Sequence, residues 1–266
     1  MTSGSPVWDG RAGAFRPLAA RPYARARVVL FPHGGGSASY YKPWTAAVPW
    51  DLEFVAVQYP GREDRFHEPL PSTIRDLAAV LARDLPFGRP LPTVLFGHSM
   101  GALAAFEVAR RMTVMGVAPA RLVASGHPAP ALARPGTVHL GDDDELIEEL
   151  RRTEATNLDV LDNEALIKTY LPIIRNDYRL SETYTMAPGA RLDAAVSVFH
   201  GDRDAEIDER EAQGWADVTD GSFDVTVFEG GHFYLDHHRD QVIGLVTAHA
   251  RAAAARASAV PWPSAP

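Results

Sequence analysis

The chain has 266 residues, of which 46% are hydrophobic and 23% charged, an ordinary globular balance with enough length to bury a full core. It contains no cysteine, which excludes a disulfide framework, a thiolate zinc centre, an iron–sulfur cluster and a cysteine nucleophile. The net charge of −8, with no nucleic-acid motif, argues against a nucleic-acid partner. No run approaches the roughly eighteen apolar residues of a membrane span, and no apolar stretch follows the first arginines. Neither a membrane association nor a secretory signal is therefore expected, and the cytoplasm is the expected location.

The charge is uneven. Residues 1–133 carry 14 Lys/Arg against 9 Asp/Glu, and residues 134–266 carry 12 against 25. Between Asp9 and Asp51 there is no acid, while Arg11, Arg16, Arg21, Arg25, Arg27 and Lys42 fall there. This is either a solvated face or a basic surface that meets an acidic partner.

In chain order, apolar β-branched runs predict strands near Arg27–Phe31, Leu52–Gln58, Pro92–Phe96, Arg121–Ser125, Ala194–Phe199 and Phe223–Phe228. Helical patterns lie at about Ser72–Leu85, Ala102–Met115, Asp208–Ala216 and Asp236–Ala255. Strands apolar throughout, alternating with helices, predict a doubly wound, mostly parallel sheet in a single domain over residues 1–266. The section from about 140 to 185 breaks the alternation with helix signal alone. Asp142 and Glu145 have capping-box spacing, with Leu146, Ile147 and Leu150 on one face. A second segment puts Leu166, Tyr170, Ile173 and Ile174 at helical spacing, and Pro172 is expected to kink it. This insertion is either a lid over a site or a crossover with an extra helix. The tail, from about 257 to 266, is expected to be disordered.

Four motifs carry chemistry. Gly97-His98-Ser99-Met100-Gly101 follows the third of these strands and precedes the helical run Ala102–Arg110, the strand–turn–helix setting of a nucleophile elbow. That turn lifts the Ser99 hydroxyl above the sheet and sets the Met100 N–H at a helix N-terminus, where it suits an oxyanion. The glycine run in Phe31-Pro-His-Gly-Gly-Gly-Ser37 lets backbone N–H groups face a site without Cβ obstruction. Gly34 is the expected second oxyanion donor, and Gly35 its neighbour against substrate; the sequence leaves open which of the two N–H groups is used. Gly201-Asp-Arg-Asp204, at a strand end, offers Asp202 and Asp204 as the acid, with Asp204 favoured because the chain turns before presenting it. Glu229-Gly-Gly-His232 offers the base: His232 alone follows both serine and acid and lies in a loop past a strand. His98 is read as held by packing, His237 and His238 as solvated, and no metal site is expected. The order Ser99, Asp204, His232 is that of the α/β-hydrolase fold, in which histidine activates the serine and the acid fixes the histidine tautomer.

With these motifs in hand, the chain resembles the type II thioesterases of polyketide and non-ribosomal peptide synthesis. The resemblance runs from about Trp8 to Ala250 and is carried by Phe31–Tyr41, Gln58-Tyr-Pro-Gly-Arg-Glu-Asp-Arg65, Phe96–Gly101, Ser125-Gly-His-Pro-Ala-Pro130, Asp177-Tyr-Arg-Leu180 with Glu182-Thr-Tyr184, and the two loops with Asp204 and His232. It implies an α/β-hydrolase fold with a helical lid and a stand-alone editing enzyme. Such an enzyme frees stalled acyl groups from the phosphopantetheine arm of acyl or peptidyl carrier proteins, which it meets transiently, with no cofactor of its own. A monomer is expected because the sequence shows no obvious exposed apolar helix. Unspecified lid residues within 140–185 would complete the substrate site. Arg62 and Arg65 are expected on a basic surface that docks the acidic carrier. A carboxylesterase, or an inactive fold that only binds carriers, are the other readings.

Overall fold

The computed structural model describes residues 13–85, 89–153 and 163–259. Seven strands form one sheet: β1 Phe15–Pro17, β2 Ala26–Phe31, β3 Leu52–Val57, β4 Thr93–His98, β5 Arg121–Ser125, β6 Ala195–Gly201 and β7 Phe223–Phe228. Their spatial order is β1-β3-β2-β4-β5-β6-β7, and only β1 is antiparallel to its neighbour. The helices are α1 Ile74–Ala82, α2 Met100–Val114, α3 Asp143–Arg152, α4 Glu164–Glu182, α5 Glu209–Gln213, α6 Tyr234–His237 and α7 Arg239–Ala259. This is the α/β-hydrolase architecture the sequence predicted.

The strands are apolar on both faces because both faces are covered. Val29, Val55, Leu95 and Leu122 pack with α1 and α2 through Leu77, Leu81, Leu103 and Phe106. Val28, Leu30, Val94 and Phe96 pack on the other face with α7 through Val242, Ile243 and Val246, and with Tyr41 and Trp44. The chain leaves β2 for β3 on one side and then crosses to β4 on the other. The ends of β2 and β4 are therefore neighbours at the point where the winding reverses, and loops at such a point open a crevice.

Several boundaries differ from expectation. The short edge strand β1 was not anticipated. The helix expected at 208–216 is α5 followed by a 3₁₀ turn at Gly214–Val218. The last helical run is split into α6 and α7, and residues 257–259, assigned to a disordered tail, finish α7. The rest of that tail, and residues 154–162 of the expected lid, lie outside the described residues. The Asp142–Glu145 capping box is formed in both directions. α3 and α4 share a small core of their own, Leu146, Leu150, Ile167, Leu171 and Ile174. Leu166, expected on the inner face of α4, is 44% exposed; Ile167, one position on, takes that place. Pro172 lies inside α4 without ending it. Among the described residues no helix is long and apolar enough to cross a membrane.

Candidate active site

Ser99 joins β4 to α2 with φ 54° and ψ −126°, a backbone conformation that a non-glycine residue adopts only when its surroundings impose it. The flanking glycines show how. A Cβ on Gly97 would stand 2.1 Å from the Gly101 carbonyl oxygen, and one on Gly101 would stand 2.3 Å from that of Phe31. The turn can therefore be this tight only with glycine at both places. The Ser99 N–H donates to the Ser125 carbonyl at 2.8 Å, which ties the elbow to β5. Among the described residues the Ser99 hydroxyl makes no hydrogen bond, and it lies on the wall of a cavity of about 380 Å³ with His33, Gly34, Met100, His127 and His232.

A second close approach brings the other two expected residues together. A Cβ on Gly201 would meet the carbonyl oxygens of Gly230 and Gly231 at 2.3 and 2.4 Å, so the end of β6 and the turn after β7 touch backbone to backbone. Across this contact His232 Nδ1 lies 3.0 Å from both carboxylate oxygens of Asp204, whose side chain is wholly buried. Asp204 also accepts the Glu206 N–H at 2.9 Å. Asp202, the other candidate acid, faces away and accepts the Gly230 N–H at 2.8 Å.

The donors for a developing negative charge sit beside the serine. Met100 opens α2, so its N–H has no partner within the helix. Gly34 is on the cavity wall and its N–H has no acceptor among the described residues. Gly35, expected against substrate, is not on that wall. It turns with φ +78° and its N–H donates to Asp177 Oδ2 at 2.7 Å. Of the two, the Gly34 N–H is the one left without an acceptor among the described residues, on a residue that lines the cavity.

Asp177 belongs to α4 and also receives the guanidinium of Arg62; their side chains are 1% and 3% exposed. Arg62 donates as well to the Pro60 carbonyl at 2.7 Å, and Arg65 to the Gln58 carbonyl at 2.7 Å and to Glu68. Gln58 itself accepts the Ala38 N–H at 2.9 Å and donates to Glu63 at 2.8 Å. The Gln58–Arg65 segment is therefore an internal brace. It joins the end of β3, the glycine loop and α4. The expectation that Arg62 and Arg65 form a docking surface is corrected: both are buried, because each has carboxylate and carbonyl partners inside the fold.

The surroundings of His232 are dry and polar at once. His98 is fully buried; its Nδ1 lies 2.9 Å from the Ser125 hydroxyl, which lies 2.6 Å from the Tyr234 hydroxyl. Burial above all, then the neighbouring His232 and His33, pushes its pKa well below the usual histidine range, so it is neutral. Its ring centroid is 4.9 Å from that of His232 and fixes one side of that ring. His237 is exposed, as the sequence suggested, while His238 donates to the Glu229 carbonyl at 2.8 Å. Among the described residues no cluster of three His, Asp or Glu side chains is placed to hold a metal ion.

The inserted segment contributes to the cavity wall: Glu149 and Arg152 from α3, Thr153 just past its end, and Asp177, Tyr178, Ser181 and Glu182 from α4 line it together with Ser99 and His232. Sequence reasoning assigned Asp177 no role and placed Arg62 on a docking surface, although both lie in segments that carried the family resemblance.

Comparison with known proteins identifies the family. The thioesterase domain family matches residues 26–249. A probable cadicidin biosynthesis thioesterase of Streptomyces griseus is 43% identical over 216 residues, 81% of this chain and 60% of its own length. Among solved structures, the type II thioesterase BorB from the borrelidin biosynthetic cluster superposes with a TM-score of 0.82 at 42% identity, covering 89% of this chain and 97% of that one. YbtT, a type II thioesterase from the yersiniabactin NRPS/PKS pathway, gives a TM-score of 0.83 at 30% identity over 91% and 99%.

Proposed function

This chain belongs to the thioesterase domain family, and on that premise we propose that it hydrolyses acyl groups from the phosphopantetheine arm of carrier proteins in polyketide or non-ribosomal peptide assembly. The observation that carries the reading is one cavity bearing a strained serine at an elbow, a histidine held by a buried aspartate, and backbone donors at a helix N-terminus. Kinship with thioesterases of biosynthetic clusters supports the choice of a thioester over an oxygen ester.

Substrate entry brings the Ser99 hydroxyl into line with His232 Nε2. Serine oxygen attacks the thioester carbonyl carbon while its proton passes to Nε2, and the new oxyanion receives the N–H groups of Gly34 and Met100. Asp204 keeps the other ring proton on Nδ1 and offsets the charge of the imidazolium. The carbon–sulfur bond then breaks and the pantetheine thiolate leaves, and the Nε2 proton of the imidazolium passes to that sulfur, which restores neutral His232; a thiolate leaves readily enough that this acid assistance matters little to the bond breaking. Water, losing its proton to His232, attacks the acyl-serine, and the collapse returns the proton to Ser99 and frees the acid. Every step is assigned to side chains, backbone N–H groups and water, and the reading gives no part to a metal or organic cofactor. The enzyme acts as a monomer in the cytoplasm, and the carrier delivers its arm at the cavity mouth without Arg62 or Arg65.

The test follows thiol release from a short acyl-pantetheine. The protein has no cysteine, so a thiol reagent reports product without background. Release by the wild type, with loss of at least about 10³-fold in Ser99→Ala and His232→Ala, supports the reading. Turnover kept in Ser99→Ala removes it.

A further inference from the structure

His127 is the residue after Gly126, and a Cβ on Gly126 would stand 3.2 Å from the His232 ring. His127 therefore borders the place where the first carbons beyond the reacting carbonyl must lie. Its Nδ1 is 2.8 Å from the Pro128 carbonyl, which can only accept, so Nδ1 carries the ring proton. Its backbone is pinned by the Trp215 indole N–H at 2.9 Å. Burial lowers its pKa to about 4, so the ring is neutral at physiological pH. Nε2 is then a lone-pair acceptor, and its one hydrogen-bond partner among the described residues is the Ser181 hydroxyl at 3.5 Å, the outer limit of a hydrogen bond. Both His127 and Ser181 are on the cavity wall.

Each charged side chain of that wall has a partner among the described residues. Arg134 holds Glu211, Arg152 holds Glu149 and Glu206, Arg62 holds Asp177, and Glu182 accepts the N–H groups of Val138 and His139. No lone cation waits for an acyl carboxylate. Away from Ser99 and His232, His127 Nε2 is an acceptor of that wall met only by the long Ser181 contact.

Resting on the thioesterase reading above, we infer that His127 Nε2 is a specificity contact for a hydrogen-bond donor near the carbonyl of the acyl chain, so that the site takes uncharged, hydroxylated acyl groups in preference to plain aliphatic ones. The donor replaces the long Ser181 contact and leaves that hydroxyl free to accept in turn.

The test compares 3-hydroxybutyryl and butyryl thioesters of N-acetylcysteamine, equal in chain length. Wild type is expected to favour the hydroxyacyl thioester in kcat/KM by about tenfold, the size of one neutral hydrogen bond. His127→Leu brings the ratio near one, and His127→Gln, which keeps an acceptor, restores part of it. Because the ratio is taken within each variant, losses of folded enzyme cancel. The same ratio is read as Kd on Ser99→Ala by calorimetry, so failed turnover refutes the hydrolase reading and leaves the subsite measurable. A wild-type ratio near one, or a ratio unchanged in His127→Leu, overturns the inference.

Discussion

Asp177 and Gly35, 142 positions apart, are joined by a 2.7 Å hydrogen bond from the Gly35 N–H to the carboxylate that also holds Arg62. One buried oxygen thus fastens α4 to the loop beside the serine. With the Gly35 N–H taken by Asp177, the Gly34 N–H beside it is left without an acceptor among the described residues.

Asp177→Asn keeps an acceptor for Gly35 but leaves the Arg62 guanidinium buried without its charge partner. The expected cost is about 3–5 kcal/mol of stability by urea unfolding. In the folded fraction, kcat should fall at least about tenfold with KM nearly unchanged, because a displaced oxyanion donor is felt in the transition state. A raised KM with kcat kept would mean that Asp177 serves ground-state binding instead.

Asp202 and Asp204 separate cleanly. Asp204→Asn should lower kcat by about 10³–10⁴-fold, since the amide favours the wrong histidine tautomer. Asp202→Asn, which alters only the Gly230 turn, should stay within about threefold of wild type. Equal losses in both would contradict the assignment of the His232 partner.

Gly201 and Gly231 belong to the same contact but differ in room. A Cβ on Gly201 collides with two carbonyl oxygens, whereas one on Gly231 meets nothing within 4 Å. Gly201→Ala should cost more than about 3 kcal/mol and most of the activity, and Gly231→Ala under about 1 kcal/mol. Thermal melts of the pair decide it.

Acid should weaken the fold through the buried histidines. His98 and His127 have folded pKa values below the unfolded value, so between about pH 6.5 and 4 the unfolded chain binds protons that the native chain refuses. Stability is then full above pH 6.5 and falls as the pH drops. For His127, at about 4, the loss between pH 7 and pH 5 is on the order of 2 kcal/mol. His127→Gln should flatten that slope in urea titrations at the two pH values; an unchanged slope would show that His127 is protonated in the native protein.

Much of this was legible because it is local. The elbow needs glycines two positions either side of Ser99, and the order of serine, acid and histidine follows the order of the strands. β1 escaped notice because a three-residue edge strand has no periodicity to read. Leu166 was placed inward because a one-residue shift around α4 changes the buried face without changing the spacing. Arg62 was read as surface because the carboxylate that lets it be buried, Asp177, comes from 115 positions away, and Arg65 because its nearby partners, the Gln58 carbonyl and Glu68, meet it only once the segment has turned back on itself. Gly35 was set against substrate for the same reason: nothing nearby in sequence says that its N–H is already taken.

Hydrolysis of one short acyl group, presented on a phosphopantetheine carrier protein and on a free small thiol, tests the proposed activity most directly in wild type and Ser99→Ala. A higher kcat/KM for the carrier-bound form in wild type, with neither form turned over by Ser99→Ala, is the predicted result. Equal kcat/KM for the two forms, or turnover that survives in Ser99→Ala, would contradict it.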